Sequence, residues 1–251
     1  MRIRVLGIGM GPQHVTPEVA EALRGADYVL AARKSGEDRL LDVRRAVCER
    51  YGVALAVVPD PARDRDDPAD YQAAVAAWHE ARAAAYERVL ARRGGTAAIL
   101  VWGDPSLYDS TVRLVERLAG RLRADWDVLP GISAPQLLAA RHRIVLHEVG
   151  RPVHVTPARR LREAVEAGQE NIVVVLGGRS GLSGLSELSE LSELPGLADW
   201  TIWWGANLGG PGEELVHGRV GDVLPELAAA RGRARAAAGW VMDAYLLRRA
   251  R

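Results

Sequence analysis

The sequence predicts an α/β protein of two domains with a cleft between them, and three observations carry that prediction. The first 131 residues alternate apolar strand-like runs with helical stretches, the pattern of a parallel sheet covered by helices. Beyond Gly131 the strand-like runs crowd closer together, which favours a mixed sheet. Three strings, GIGMGP at 7–12, VWGDPSLYDS at 101–110 and LPGISAPQ at 129–136, place Gly, Pro or Asp where a strand should end. In open α/β sheets ligands sit outside the carboxyl ends of the strands, so three such ends imply one small-molecule crevice. The domains are expected at 1–131 and 132–251.

The elements follow in order. Ile3–Ile8 reads as a strand, and Thr16-Pro17-Glu18 opens a helix with an N-cap, a proline at N1 and an early acid. That helix runs to about Arg24. Asp27–Ala31 is a strand, Arg39–Tyr51 a helix and Leu55–Val58 a strand. A polar stretch from Asp60 to Asp67 precedes a long alanine-rich helix over Ala69–Arg92, which Gly94-Gly95 should end. Ala97–Val101, Leu107–Ala119 and Trp126–Leu129 read as strand, helix and strand. In the second half Ala134–Arg141 and Arg159–Ala167 are helical, and Val220–Ala230 holds a further helix. Val153–Thr156, Ile172–Leu176, Thr201–Trp204, His217–Val220 and Trp240–Leu247 are strands. Residues 182–194 repeat Ser-Glu-Leu with a period of three, which matches neither helix nor strand and reads as an exposed insertion.

Composition excludes several classes. An apolar fraction of 48% supports a real core, and the 251 residues carry a net charge of only +1, which gives no argument for nucleic acid as partner. No apolar run approaches the roughly 18 residues that span a bilayer, and the N-terminus opens a strand rather than a signal peptide. A cytoplasmic protein is expected, with no membrane partner. Cys48 is the single cysteine, so no internal disulfide and no multi-cysteine metal site forms. It is expected as a small buried residue on the Leu40–Val47–Cys48 face of its helix. Apart from Lys34 every basic residue is arginine, and guanidinium forks suit a ligand rich in carboxylates.

GIGMGP is not a dinucleotide fingerprint, because Pro12 stands where G-x-G-x-x-G needs its last glycine and no acid follows the second strand. A nicotinamide-dependent oxidoreductase is therefore the weaker alternative, and a non-catalytic carrier of the same fold is a third. Pro105 holds Asp104 out of the helical region, which leaves its carboxylate free at the strand end. Tyr108 and Asp109 follow one turn later. Ser133 is placed to cap a helix.

Together the three strings resemble the tetrapyrrole methylases, which methylate porphyrinoid rings with S-adenosylmethionine. The family pattern is a glycine-rich first turn ending in a Val-Thr or Leu-Thr helix start, then G-D-P, then P-G-[IV]-[ST]-[AS]. Here it is Gly7–Gly11 with Val15-Thr16, then Gly103-Asp104-Pro105, then Pro130-Gly131-Ile132-Ser133-Ala134. Two positions depart from it, Trp102 before G-D-P and Met10 in the first loop. Asp60-Pro61, Arg63-Asp64-Arg65, Asp70-Tyr71, Trp78-His79, Arg82 and Tyr86-Glu87 are similar to the members that serve the aerobic route to cobalamin. AARHRI at 139–144, WWGANLG at 203–209 and GWVMDAYLLR at 239–248 match them too.

The resemblance implies S-adenosyl-L-methionine as co-substrate, held by Met10, Trp102, Gly103, Asp104, Leu107, Ser133 and Ala134. It also implies Leu176 and Leu208, for which ordinary core leucine is an equal alternative. The implied reaction is methylation of carbon 1 of precorrin-5 with loss of the acetyl group at carbon 20, and a neighbouring ring position is the alternative. Methyl transfer needs alignment, whereas acetyl loss needs a general base. Asp104, Tyr108, Asp109, His79 and His142 are the candidates for that base. Arg63, Arg65, Arg141 and Arg143 are candidates for the substrate carboxylates. No metal is expected, and the resemblance suggests a homodimer.

Overall fold

The structure is a computed structural model that describes residues 1–33, 38–61, 71–176, 191 and 194–249. Arg63 and Arg65 lie outside the described residues. The chain divides into two compact units, Met1–Ile132 and Ser133–Arg251.

The first unit is built on five strands, β1 (Arg2–Gly7), β2 (Tyr28–Arg33), β3 (Leu55–Pro59), β4 (Thr96–Val101) and β5 (Asp125–Leu129). They form a wholly parallel sheet in the order β3-β2-β4-β1-β5. Four helices connect them, α1 (Pro17–Arg24), α2 (Arg39–Tyr51), α3 (Tyr71–Arg93) and α4 (Thr111–Leu122). The first two connections run one way across the sheet and the last two run back. Right-handed crossovers therefore put α1 and α2 on one face and α3 and α4 on the other. The side chains agree, because strand residues alternate between two cores. Ile3, Val5, Leu30, Ile99 and Val101 pack with Tyr86, Leu90, Val115 and Leu118 of α3 and α4. Leu6, Val29, Ala98 and Leu100 pack with Val19, Leu23, Val47 and Cys48 of α1 and α2. Cys48 is buried as expected, and burial pushes its thiol up to about 11.

Local chemistry sets the ends. The Thr16 hydroxyl accepts from the Val19 amide at 3.2 Å and caps α1. Gly94 and Gly95, at φ 61° and 68°, stop α3 where the sequence predicts. The helix expected from Leu107 begins four residues later, at Thr111. The Pro105–Ser106 turn and the left-handed Tyr108 (φ 52°) intervene, and the Asp109 carboxylate accepts the Thr111 amide at 2.6 Å.

The second unit holds α5 (Ala134–His142), β6 (His154–Pro157), α6 (Leu161–Glu166), β7 (Asn171–Val175), β8 (Thr201–Ala206), β9 (Glu214–Arg219), α7 (Val220–Ala238) and β10 (Asp243–Arg248). Its sheet runs β6-β7-β10-β8-β9, and only β6 and β7 pair in parallel, so it is the mixed sheet expected. Buried Leu227, Ala230 and Ala234 make the stripe that α7 lays on Ile202, Trp204 and Leu247. That helix continues eight residues past its expected end. The last strand begins later than expected, at Asp243, because Asn207 ties the preceding turn down. Its side-chain amide donates to the carbonyls of Ala234 and Trp240, and its carbonyl accepts from the Met242 amide at 2.9 Å.

The Ser-Glu-Leu repeat is corrected at its last two leucines. Leu191 and Leu194 are buried in the core of the second unit. A period of three is also the i, i+3 spacing that sets neighbouring leucines one helical turn apart. The residues at 182–190, 192 and 193 lie outside the described ones. Leu191 is 1% exposed, so Leu191→Ala should destabilise the protein by about 2–5 kcal/mol, read as a lowered unfolding midpoint in urea.

Candidate active site

The carboxyl ends of β1, β4 and β5 meet in one backbone junction. Gly9 and Gly103 form an isolated antiparallel bridge, with Gly103 N–H donating to the Gly9 carbonyl at 2.8 Å and Gly9 N–H returning at 3.2 Å. A Cβ on Gly7 would lie 2.5 Å from the Gly131 nitrogen, and one on Gly131 would lie 2.3 Å from the Gly103 oxygen. Glycine is required at both positions because backbone fills the space that a side chain would take. Gly9 and Gly103 need it for another reason, since φ values of 64° and 72° are left-handed.

Asp104 locks this junction. Its Oδ2 accepts the Gly131 amide at 2.9 Å, while Oδ1 accepts the Ser106 amide at 2.9 Å and the Ser106 hydroxyl. Both oxygens are thus engaged, and the free carboxylate expected from sequence is not found. The Pro105–Ser106 turn folds one donor back onto it and the junction delivers the other. Burial alone would raise its pKa, but the Ser106 hydroxyl and the Gly131 and Ser106 amides together hold it below the usual carboxylate value.

The other candidates of the first unit surround the same strand ends or stand apart on α3. Met10 is buried in the first loop, and Leu107 is half-buried with its amide bonded to the Asp104 carbonyl at 3.2 Å. The Trp102 indole nitrogen is buried and has no hydrogen-bond partner among the described residues. Tyr108 is 45% exposed beyond the loop, and the Asp109 carboxylate is bonded to the Thr111 amide at the start of α4. His79 belongs to a separate group on α3. Its ring meets that of Trp78 at 4.8 Å, the Arg82 guanidinium lies over the same indole, and Arg82 pairs with Asp60 at 3.0 Å.

In the second unit Ser133 and Gln136 form a full capping box at the start of α5, which leaves Ala134 on its first turn. Leu176 follows β7 at φ 56° and is 52% exposed, so it is no core leucine. Leu208 is 2% exposed and packs on Gly205, which is the core alternative. Arg141 is already paired with Glu213 at 2.9 Å, and Glu213 also accepts the Gly209 amide. Arg143 is exposed and closes α5 in a left-handed conformation. His142 Nε2 lies 2.9 Å from the Trp204 carbonyl, which can only accept, so Nε2 carries the proton. Burial lowers the His142 pKa, the Trp204 carbonyl opposes that, and His217 adds to it.

The profile of the Tetrapyrrole (Corrin/Porphyrin) Methylases matches residues 2–224. The chain is a tetrapyrrole methylase. This methylase is 38% identical over 262 residues to a Sinorhizobium protein named precorrin-6A synthase [deacetylating], an alignment covering 99% of this chain and 95% of that one. It superposes with a TM-score of 0.80 and 33% identity on a cobalamin synthesis related protein (CobF) from Corynebacterium diphtheriae, over 99% and 98% of the two chains. A uroporphyrin-III-C-methyltransferase from Thermus thermophilus shares the fold at TM-score 0.58 and 22% identity, over 99% and 91% of the chains. Membership removes the nicotinamide alternative.

Among the residues that sequence reasoning missed is Gln136, although its Ser133-x-x-Gln136 spacing was a readable capping signal. Nothing in the sequence indicated that Asp104 faces Gly131. Asp104→Asn must turn an amide N–H toward the Gly131 or Ser106 donor. It should cost about 1–2 kcal/mol, the low end of the range because the carboxylate is partly exposed. The folded pKa of Asp104 is depressed, so its stabilisation is complete above the unfolded value and fades as pH falls through the folded one. In urea titrations from pH 7 to pH 2 the variant should start lower and lose less than the wild type.

Proposed function

We propose that this methylase transfers a methyl group from S-adenosylmethionine to carbon 1 of precorrin-5 and releases the acetyl group of carbon 20 as acetate. The near-full-length identity to a deacetylating precorrin-6A synthase carries this reading. The junction supports it, because close-packed backbone, the Asp104 carboxylate and a buried indole N–H come together at these strand ends.

The residues present suit S-adenosylmethionine, which supplies an electrophilic methyl on a sulfonium. Trp102 Nε1–H is a buried donor without a partner among the described residues, and such a group costs about 1–3 kcal/mol until a ligand accepts from it. Met10, Gly103 and Leu107 border the junction, and Asp104 acts as the positioning residue that fixes the G-D-P loop carrying Gly103 and Leu107. Ser133, Ala134, the exposed Leu176 and the backbone at Leu208 are proposed as contacts from the second unit. Methyl transfer breaks the sulfur–methyl bond as the ring carbon forms its own, and no protein group bonds to the methyl. Alignment of the two reactants is worth about 7–11 kcal/mol.

Acetate release differs, because water must add to the acetyl carbonyl and the ring carbon must keep the bonding pair and take a proton. Of the five candidate bases, His142 fits best. Its Nε2 proton is held by the Trp204 carbonyl, which leaves the basic lone pair on Nδ1. Asp104 is fully engaged, and Asp109 is committed to a helix amide. Tyr108 and His79 are weaker choices for removing a proton from water, tyrosine because its neutral hydroxyl is a poor base.

We also infer a cytoplasmic homodimer. No helix among the described residues is long and apolar enough to cross a membrane.

The protein incubated with S-adenosylmethionine and precorrin-5 should yield equal amounts of S-adenosylhomocysteine and acetate. Methylation without acetate would reassign it to a neighbouring ring position. His142→Gln keeps a donor for Trp204 but removes the base, and should slow acetate release about 100-fold. Because the folded pKa lies below the ordinary 6.5, the wild-type rate of acetate release should hold steady from pH 8 to 6.5 and fall only at lower pH.

A further inference from the structure

The sheet of the first unit is split. β2 pairs with β4 only through Tyr28–Ala97 and Val29–Ala98, whereas β2 stays paired with β3 through Arg33. Beyond Ala98 the two strands part toward their carboxyl ends, which leaves backbone polar groups on either side without a strand partner. Two side chains enter from opposite faces to satisfy them. From α2, Arg44 Nε donates to the Leu100 carbonyl at 3.0 Å. From α3, the Tyr86 hydroxyl bonds to the backbone of Ala32.

Arg44 is the unusual member. Arg82, which lies nearby, is neutralised by Asp60 at 3.0 Å. The two acids that favour the Arg44 charge are each engaged elsewhere, Asp38 with the Leu41 amide and Asp109 with the Thr111 amide. Arg44 makes no ion pair among the described residues. Its two outer nitrogens make no hydrogen bond there, and the residue as a whole is half-buried. Burial lowers its pKa, so the guanidinium is held at an electrostatic cost. A set-in guanidinium that spends one N–H on a carbonyl and leaves its fork open is poised for a planar, bidentate anion. The Leu100 carbonyl it meets lies two residues before Trp102, on the strand that leads into the G-D-P loop.

We propose that Arg44 is a carboxylate-binding residue of this enzyme, with the split between β2 and β4 holding its fork in place for one carboxylate of a bound reactant. The inference rests on the methyltransferase reading. That reading offers two carboxylate sources, a side-chain carboxylate of the tetrapyrrole and the carboxylate of the methionine moiety. Both present the same chemistry to Arg44.

The test uses the full chain, with S-adenosylhomocysteine titrated by calorimetry and uroporphyrin III, a polycarboxylate ring, titrated by fluorescence. Arg44→Gln retains a donor for the Leu100 carbonyl but removes charge and fork. It should weaken one probe about 10- to 100-fold and spare the other. Loss in the porphyrin arm assigns the ring carboxylate, and loss in the other arm assigns the methionine carboxylate. A second readout needs no variant. Phenylglyoxal labelling of Arg44 in the wild type, followed by mass spectrometry, should be suppressed by whichever probe occupies the fork. Unchanged binding by folded Arg44→Gln, or labelling of Arg44 that neither bound probe suppresses, overturns the inference and leaves Arg44 a backbone cap. A wild type that binds neither probe overturns the methyltransferase reading, and this inference with it.

Discussion

Backbone has to touch backbone where β1, β4 and β5 end, and much of the first unit follows from that contact. Gly7, Gly103 and Gly131 approach so closely that a single added Cβ would overlap a neighbouring main chain. Close approach of this kind is stable only if the amides brought together find acceptors. The Gly9–Gly103 bridge satisfies two of them and Asp104 takes those of Gly131 and Ser106. Three loops that look independent in sequence are one object held by one carboxylate. What this leaves at the strand ends is main chain, the clasping carboxylate and a buried indole N–H.

The same sheet solves a second problem in the opposite way. Between β1 and β4 the strands remain paired to their ends, and the loops beyond them are drawn together. Between β2 and β4 they part, and side chains replace the missing ladder. One side of β4 is therefore closed by glycine and the other is opened by arginine and tyrosine. A junction clasped by a carboxylate and a gap bridged by a guanidinium lie on either side of a single strand end.

Most of the fold was legible because its signals are local. Alternation of apolar residues, Thr16 before Pro17, and Gly94-Gly95 after α3 each act within a few residues of where they stand. What escaped was non-local. The start of α4 depends on Tyr108 taking a left-handed conformation that its residue type does not announce. The start of β10 depends on Asn207 reaching across the second unit. The site was legible as a set of motifs but not as a geometry. G-D-P and P-G-I-S-A mark the right loops, yet nothing in either string says that the aspartate of one clasps the glycine of the other. Arg44 carries no motif at all, because its significance lies in where two strands separate. Arg141 shows the converse, since its place after a motif suggested a ligand and its actual neighbour is Glu213.

Gly7 and Gly131 stand at opposite ends of the first unit's chain, and the residues between them form strands β2 to β5 and helices α1 to α4. Contacts that close so long a loop form late in folding, because the chain entropy they cost must be offset by structure already in place. On the ribosome the junction cannot exist until its last glycine has emerged, by which time β1 has long been available to pair. The strand ends that would receive the co-substrate are thus the last part of this unit to be completed. A partly made chain can display the helices and most of the sheet, yet it has no junction with which to hold a ligand.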